Sequence, residues 1–123
     1  MRTKLAIASF LTVGLLWVAP AGAQSQGKPI TLIGVIVDTA CYIGHNIMGP
    51  DHAKCAAMCA RAGIPLAVLE PKSGSLYLPL GLDHKSPNDR LLPFVEKTVR
   101  IKGTVIEKGG IRGLVIQEIS AAK

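Results

Sequence analysis

The chain has 123 residues, with 14 Lys or Arg against 8 Asp or Glu and a formal net charge of +6. Hydrophobic residues make up 49% and charged residues 18%. That balance excludes a disordered tail, a coiled coil, a multispanning membrane protein and a strong polycation, and the length leaves room for one small domain.

Arg2 and Lys4 make a positive start, Leu5 to Val18 an apolar run, and Ala21-Gly22-Ala23 a small-residue cleavage site. This predicts an export signal over residues 1–23, cleaved after Ala23, and a periplasmic or secreted mature protein. An uncleaved anchor is the poorer reading, since the apolar run falls short of the roughly 20 residues a spanning helix needs and Pro20 breaks it. No Cys follows Ala23 directly, so a lipid anchor is not indicated. With Arg2 and Lys4 removed, 12 basic residues face 8 acidic ones, a mature net charge of +4. Tyr42, Tyr77 and Phe94 are then the only aromatics, so the core must be built from Val, Ile and Leu.

After a polar leader at 24–29, residues 30–123 read as one domain. Ile30 to Val37 is β-branched and predicts a strand ending at Asp38, with a bend at Gly34. Pro65 to Leu69 and Ser75 to Leu80 flank Glu70-Pro71-Lys72-Ser73-Gly74, a turn signal, and predict a hairpin. Asn88 to Leu92 predicts a short helical turn limited by Pro93. Thr98 to Val105 alternates polar and apolar residues and meets Gly109-Gly110 before Ile111 to Ile119, which predicts a long hairpin. Gly103 and Gly113 mark sharp bends. The order of strand, insert, two strands, short helix and two strands matches a mainly β, five-stranded OB-like barrel. An open five-stranded sheet with one helix is the rival architecture.

The insert between the first two strands holds Cys41, Cys55 and Cys59, together with His45 and His52. Residues 51–62 predict a helix with Asp51 as N-cap and Gly63 and Pro65 as stops. His52, Cys55 and Cys59 then stand at i, i+3 and i+7, within a wedge of roughly 60° on one helix face. Cys41 and His45 are close enough in sequence to fold over that face and complete a metal centre. Thiolate and imidazole suit zinc, copper and iron, and the thioethers of Met48 and Met58 tilt the set toward Cu(I). The C-x-x-x-C spacing departs from zinc ribbons, thioredoxin-type sites and haem attachment. The competing reading is a disulfide from Cys41 to Cys55 or Cys59 that staples the insert to the barrel, at a gain of about 2–4 kcal/mol. It leaves two His and the third Cys unexplained, so the metal centre is preferred. Asp38 could orient a ligand from behind but reads more simply as a polar strand end, and His84 as a surface loop residue. The basic set Lys97, Arg100, Lys102, Lys108 and Arg112 reads as ordinary protection of an exposed strand face.

These residues resemble a group of small exported bacterial domains of uncharacterised function. Their shared features stand here as Asp38 to Cys41, the His-x-x-Cys-x-x-x-Cys of His52 to Cys59, Gly63 to Pro65, and a closing strand over Glu96 to Gly103, with Glu96 where Gly is usual. The resemblance implies an OB-like fold and leaves function open.

The leading expectation is therefore an exported, non-enzymatic domain that binds copper or zinc through Cys41, Cys55, Cys59 and His52, with His45 as the alternative nitrogen. The second is a disulfide-stapled module for an unknown protein or small ligand. Nucleic acid is not expected, because stacking aromatics are scarce. A thiol enzyme using Cys55 or Cys59 with His52 as base ranks last, for want of a third, orienting group.

Overall fold

A computed structural model describes residues 27–123. The export signal read over residues 1–23 lies outside the described residues, as do positions 24–26 of the leader. Lys28 and Pro29 already belong to β1 (Lys28–Asp38), which thus begins two residues ahead of Ile30.

The chain then runs through α1 (Thr39–His45), a 3₁₀ turn (Pro50–His52), α2 (Ala53–Arg61), β2 (Leu66–Glu70), β3 (Ser75–Pro79), α3 (Asn88–Leu91), a second 3₁₀ turn (Leu92–Phe94), β4 (Thr98–Lys108) and β5 (Ile111–Ala121). The strands close in the order β1-β2-β3-β5-β4. All pairings are antiparallel except β3 with β5, where Leu78 faces Gly113 and Pro79 faces Leu114. That single parallel pairing turns a sheet into an OB-type barrel and excludes the open-sheet alternative.

Glycines stand where the curvature demands them. A Cβ on Gly34 would meet Leu69 O at 2.7 Å, and one on Gly103 would meet Val115 O at 2.5 Å. The β4–β5 register slips between Lys102 and Gly103, a bulge that bends the long hairpin. At its tip Gly109 and Gly110 both have positive φ, 60° and 80°, as a two-residue hairpin turn requires.

Inside the barrel Leu32, Ile36, Leu66, Val68, Val99, Ile101 and Leu114 form one apolar cluster, with Leu91 and Val95 added from the segment before β4. Alternation along β1 sends Leu32, Gly34, Ile36 and Asp38 inward. Val37 is also buried, because Ala67, Leu69 and Tyr42 cover the other face of that strand.

The helical insert seals one end of the barrel. In α2 the small residues Ala56 and Ala60 are buried in the core, and Ala53 packs beside them. The helix ends in a Schellman motif: Gly63 has φ 97°, its N–H donates to Ala60 O at 3.1 Å, and the N–H of Ile64 donates to Cys59 O at 3.0 Å.

Asn88 locks this end. Its buried side chain accepts from Leu66 N–H at 3.0 Å and donates to Ala60 O at 3.0 Å and Ile64 O at 2.8 Å. Replacing Asn88 by Ala should cost about 2–4 kcal/mol, because three buried backbone groups lose a partner. A urea denaturation midpoint close to that of the wild type would refute the assignment.

Candidate metal centre

The site grows from the end of β1. Asp38 is fully buried, and its Oδ1 accepts from Ala40 N–H at 2.8 Å and from Cys41 N–H at 3.3 Å. It is the N-cap of α1, a helix that sequence reasoning missed, since Asp38 looked like a plain strand end. The first residue of the helix is tied to the residue just before β2: the N–H and hydroxyl of Thr39 both donate to Pro65 O, at 3.2 and 2.8 Å. At the far end Asn46 adopts the left-handed conformation, φ 55° and ψ 38°, and closes the helix. Cys41 is thereby held one helical turn from a carboxylate that cannot move.

The expected helix over 51–62 is divided. Pro50–His52 is a 3₁₀ turn, so Asp51 is exposed within it and does not cap α2; the capping position falls to His52, without a side-chain hydrogen bond. A 3₁₀ turn advances about 120° per residue, not about 100°. His52 is grouped with Asp38 and Cys41, not with Cys55 and Cys59.

Two groups of donor atoms result. The thiols of Cys41, Cys55 and Cys59 lie within 4.8 Å of one another, and donor atoms of Asp38, Cys41 and His52 do likewise. Cys41 belongs to both. Four of the five expected ligands are therefore brought together, and Asp38 joins them. His45 is exposed near the end of α1 and lies in neither group. Sequence signals for Asp38 existed, an Asp directly before Thr-Ala-Cys, but burial was needed to separate a cap from a strand end.

The cysteines carry no disulfide. Cys55 is exposed, while Cys41 and Cys59 are half-buried. Thiolates on a tetrahedral zinc at about 2.3 Å stand roughly 3.8 Å apart, so a modest contraction of the trio would satisfy an ion.

Charge organises the cluster. Burial acts to raise the Asp38 carboxyl, but the Cys59 and Cys41 thiols beside it and the N–H groups of Cys41 and Ala40 outweigh burial and hold it below its usual value. The thiols answer in the opposite sense. Interaction with Asp38, then burial and the neighbouring thiols, push Cys59 up to about 12, and burial followed by Asp38 pushes Cys41 up. Asp38, His52 and Cys41 do have the composition of a nucleophile triad, so a third group is present after all. A carboxylate packed on the thiols nevertheless opposes thiolate formation, the reverse of what an attacking cysteine needs. A cation placed among these groups removes the conflict, since it stabilises carboxylate and thiolates together.

Comparison with family models, with curated proteins and with solved structures finds no match to this chain.

The raised thiols set a pH dependence. A Cys59 that ionises near 12 when folded and near 9.0 when unfolded contributes stability that is complete below pH 9 and lost as pH rises from 9 toward 12. Asp38 acts at the other end: its lowered carboxyl contributes above pH 3.8 and is lost as pH falls below that value. In metal-free protein at pH 8, mass-mapped alkylation should label the exposed Cys55 first and Cys41 and Cys59 slowly. Asp38→Asn keeps a capping oxygen and removes the charge, so it should speed labelling of Cys59 at least about tenfold. Unchanged labelling in that variant would refute control by Asp38.

Proposed function

We propose that this is an exported, non-enzymatic metal-binding domain whose ion is held by Cys41, Cys55 and Cys59, with His52 or Asp38 as the fourth donor. The observation that carries the reading is the mutual approach of three thiols within 4.8 Å, against a fully buried carboxylate. Without a cation the carboxylate opposes ionisation of Cys41 and Cys59, and a bound cation would let carboxylate and thiolates stand together.

Zinc is favoured over Cu(I). Three sulfurs with one nitrogen or oxygen donor make a tetrahedral zinc set. The case for Cu(I) leaned on thioethers, and Met48 and Met58 are 40% and 61% exposed, turned to solvent. A closed, four-donor site of this kind is a structural clamp: it would join β1, α1 and the α2 plug across the barrel mouth. Should the ion be copper, the exposed Cys55 suits a carrier that gives up its cargo by ligand exchange.

The second reading, a disulfide-stapled interaction module, draws on the same proximity, because Cys41 with Cys55 or Cys59 in an oxidising compartment is a candidate for a bridge. Metal content and thiol count separate the two. Protein purified without chelator or affinity-tag nickel should hold about one equivalent of zinc or copper, with thiols that react only after chelation. Cys41→Ser should weaken zinc binding at least about 100-fold, and affinity should fall at least about tenfold per pH unit below pH 8 as the thiols regain protons. No metal together with a single reactive thiol would overturn the metal reading in favour of the staple.

A further inference from the structure

Glu96 was outside the donor set expected from sequence, yet it is placed at evident cost beside the centre. Its φ is 56°, in the left-handed region that a side chain other than glycine adopts under strain. Its side chain is only 7% exposed. The backbone is locked as well, because Glu96 N–H donates to Ile36 O at 2.8 Å, two residues before Asp38. The carboxylate is thus laid against β1 at the edge of the cluster.

Its two oxygens are treated differently. Oε2 accepts from Gly49 N–H at 2.8 Å, and Gly49 opens the turn that carries His52, whose N–H donates to Gly49 O at 2.9 Å. Oε1 has no partner. Among the described residues the buried side-chain nitrogens and oxygens without a partner are Asp38 Oδ2, His52 Nε2 and Glu96 Oε1. All three belong to this corner of the molecule. Burial raises the Glu96 carboxyl, the Gly49 N–H and the nearby His52 act against that rise, and Asp38 adds to it, so Glu96 senses both its histidine and carboxylate neighbours.

We propose that Glu96 is a positioning residue of the centre: Oε2 holds the 49–52 turn, and Oε1 accepts the Nε2–H of His52, which fixes the imidazole with Nδ1 turned toward Cys41. The two atoms are not bonded to each other in the structure, and a side-chain adjustment joins them. A histidine ligand whose second nitrogen donates to a carboxylate has its tautomer and ring orientation set by that bond, and its basicity raised. Backbone strain and a buried, half-satisfied carboxylate are then the cost of aiming one ligand. This role rests on the metal reading, while the tautomer it imposes on His52 exists with or without an ion.

The test uses the mature protein and two variants. Glu96→Gly relieves the left-handed strain, so its metal-free Tm should equal or exceed that of the wild type, while its zinc affinity, measured by competition with a chromophoric chelator, falls about 10–100-fold. Glu96→Gln has a single acceptor oxygen where both oxygens of Glu96 accept, so it loses one of the two bonds, and its zinc affinity should fall between those of the wild type and the Gly variant. By NMR of the imidazole nitrogens, a hydrogen-bonded Nε2–H of His52 should be present in the wild type and lost in the Gly variant. Glu96→Gly with unchanged zinc affinity and an unchanged His52 signal would overturn the proposal and leave Glu96 as an anchor of the turn alone. If the wild type binds neither zinc nor copper, the metal reading fails on its own. The His52 signal in metal-free protein then decides the role of Glu96: loss in the Gly variant upholds it, and no change overturns it.

Discussion

Among the described residues no Lys or Arg forms an ion pair with the buried carboxylate of Asp38, and the surrounding architecture makes that burial tolerable. A charged group taken out of water needs hydrogen bonds in return. Here they come from the first turn of α1, so the carboxylate that needs partners also dictates where the chain turns from strand into insert. Cys41 is placed by that turn, and Cys59 is held against the same carboxylate by the α2 plug. Barrel and insert are therefore coupled through one side chain. The small face of α2 allows the coupling, because Ala56 and Ala60 let the helix approach the barrel closely enough for Cys59 to reach Asp38.

The same arrangement explains why the cluster looks like a receptor for a cation and unlike a catalytic thiol. Reactive cysteines sit in positive surroundings that lower their ionisation. Cys41 and Cys59 sit against a negative group and are raised. Glu96 places a further carboxylate behind the His52 turn. Protons hold such a set together, and a metal bound there would replace them, so that ligation and proton release would be one event.

Much of the fold was readable from local pattern. The alternation of Thr98 to Val105 and the Gly109-Gly110 pair specify the β4–β5 hairpin, since period-two patterning and positive-φ glycines have few other uses. Co-clustering of Cys41, Cys55, Cys59 and His52 was likewise visible, because all lie within one insert. Other features were hidden for definite reasons. Asn88 reads as an ordinary turn residue, and its role depends on Leu66, Ala60 and Ile64, which are distant in sequence. Glu96 reads as a surface acid until its φ and burial are known. The helix α1 was concealed because seven residues carry too little periodicity to register, and its cap was counted with the preceding strand.

Composition and spacing by themselves determined that this is a small β-rich fold with its three cysteines and two of its histidines gathered between the first two strands, because hydrophobic periodicity and turn chemistry act over a few residues. Whether the sheet closes, that His52 and not His45 is grouped with Cys41, and that Asp38 and Glu96 stand beside them were decided by tertiary structure alone. Those outcomes follow from the β3–β5 pairing, from the hydrogen bond that Gly49 N–H donates to Glu96 at the 50–52 turn and from burial against the barrel. Each is a long-range contact or a desolvation effect, and neither leaves a local trace in the order of residues.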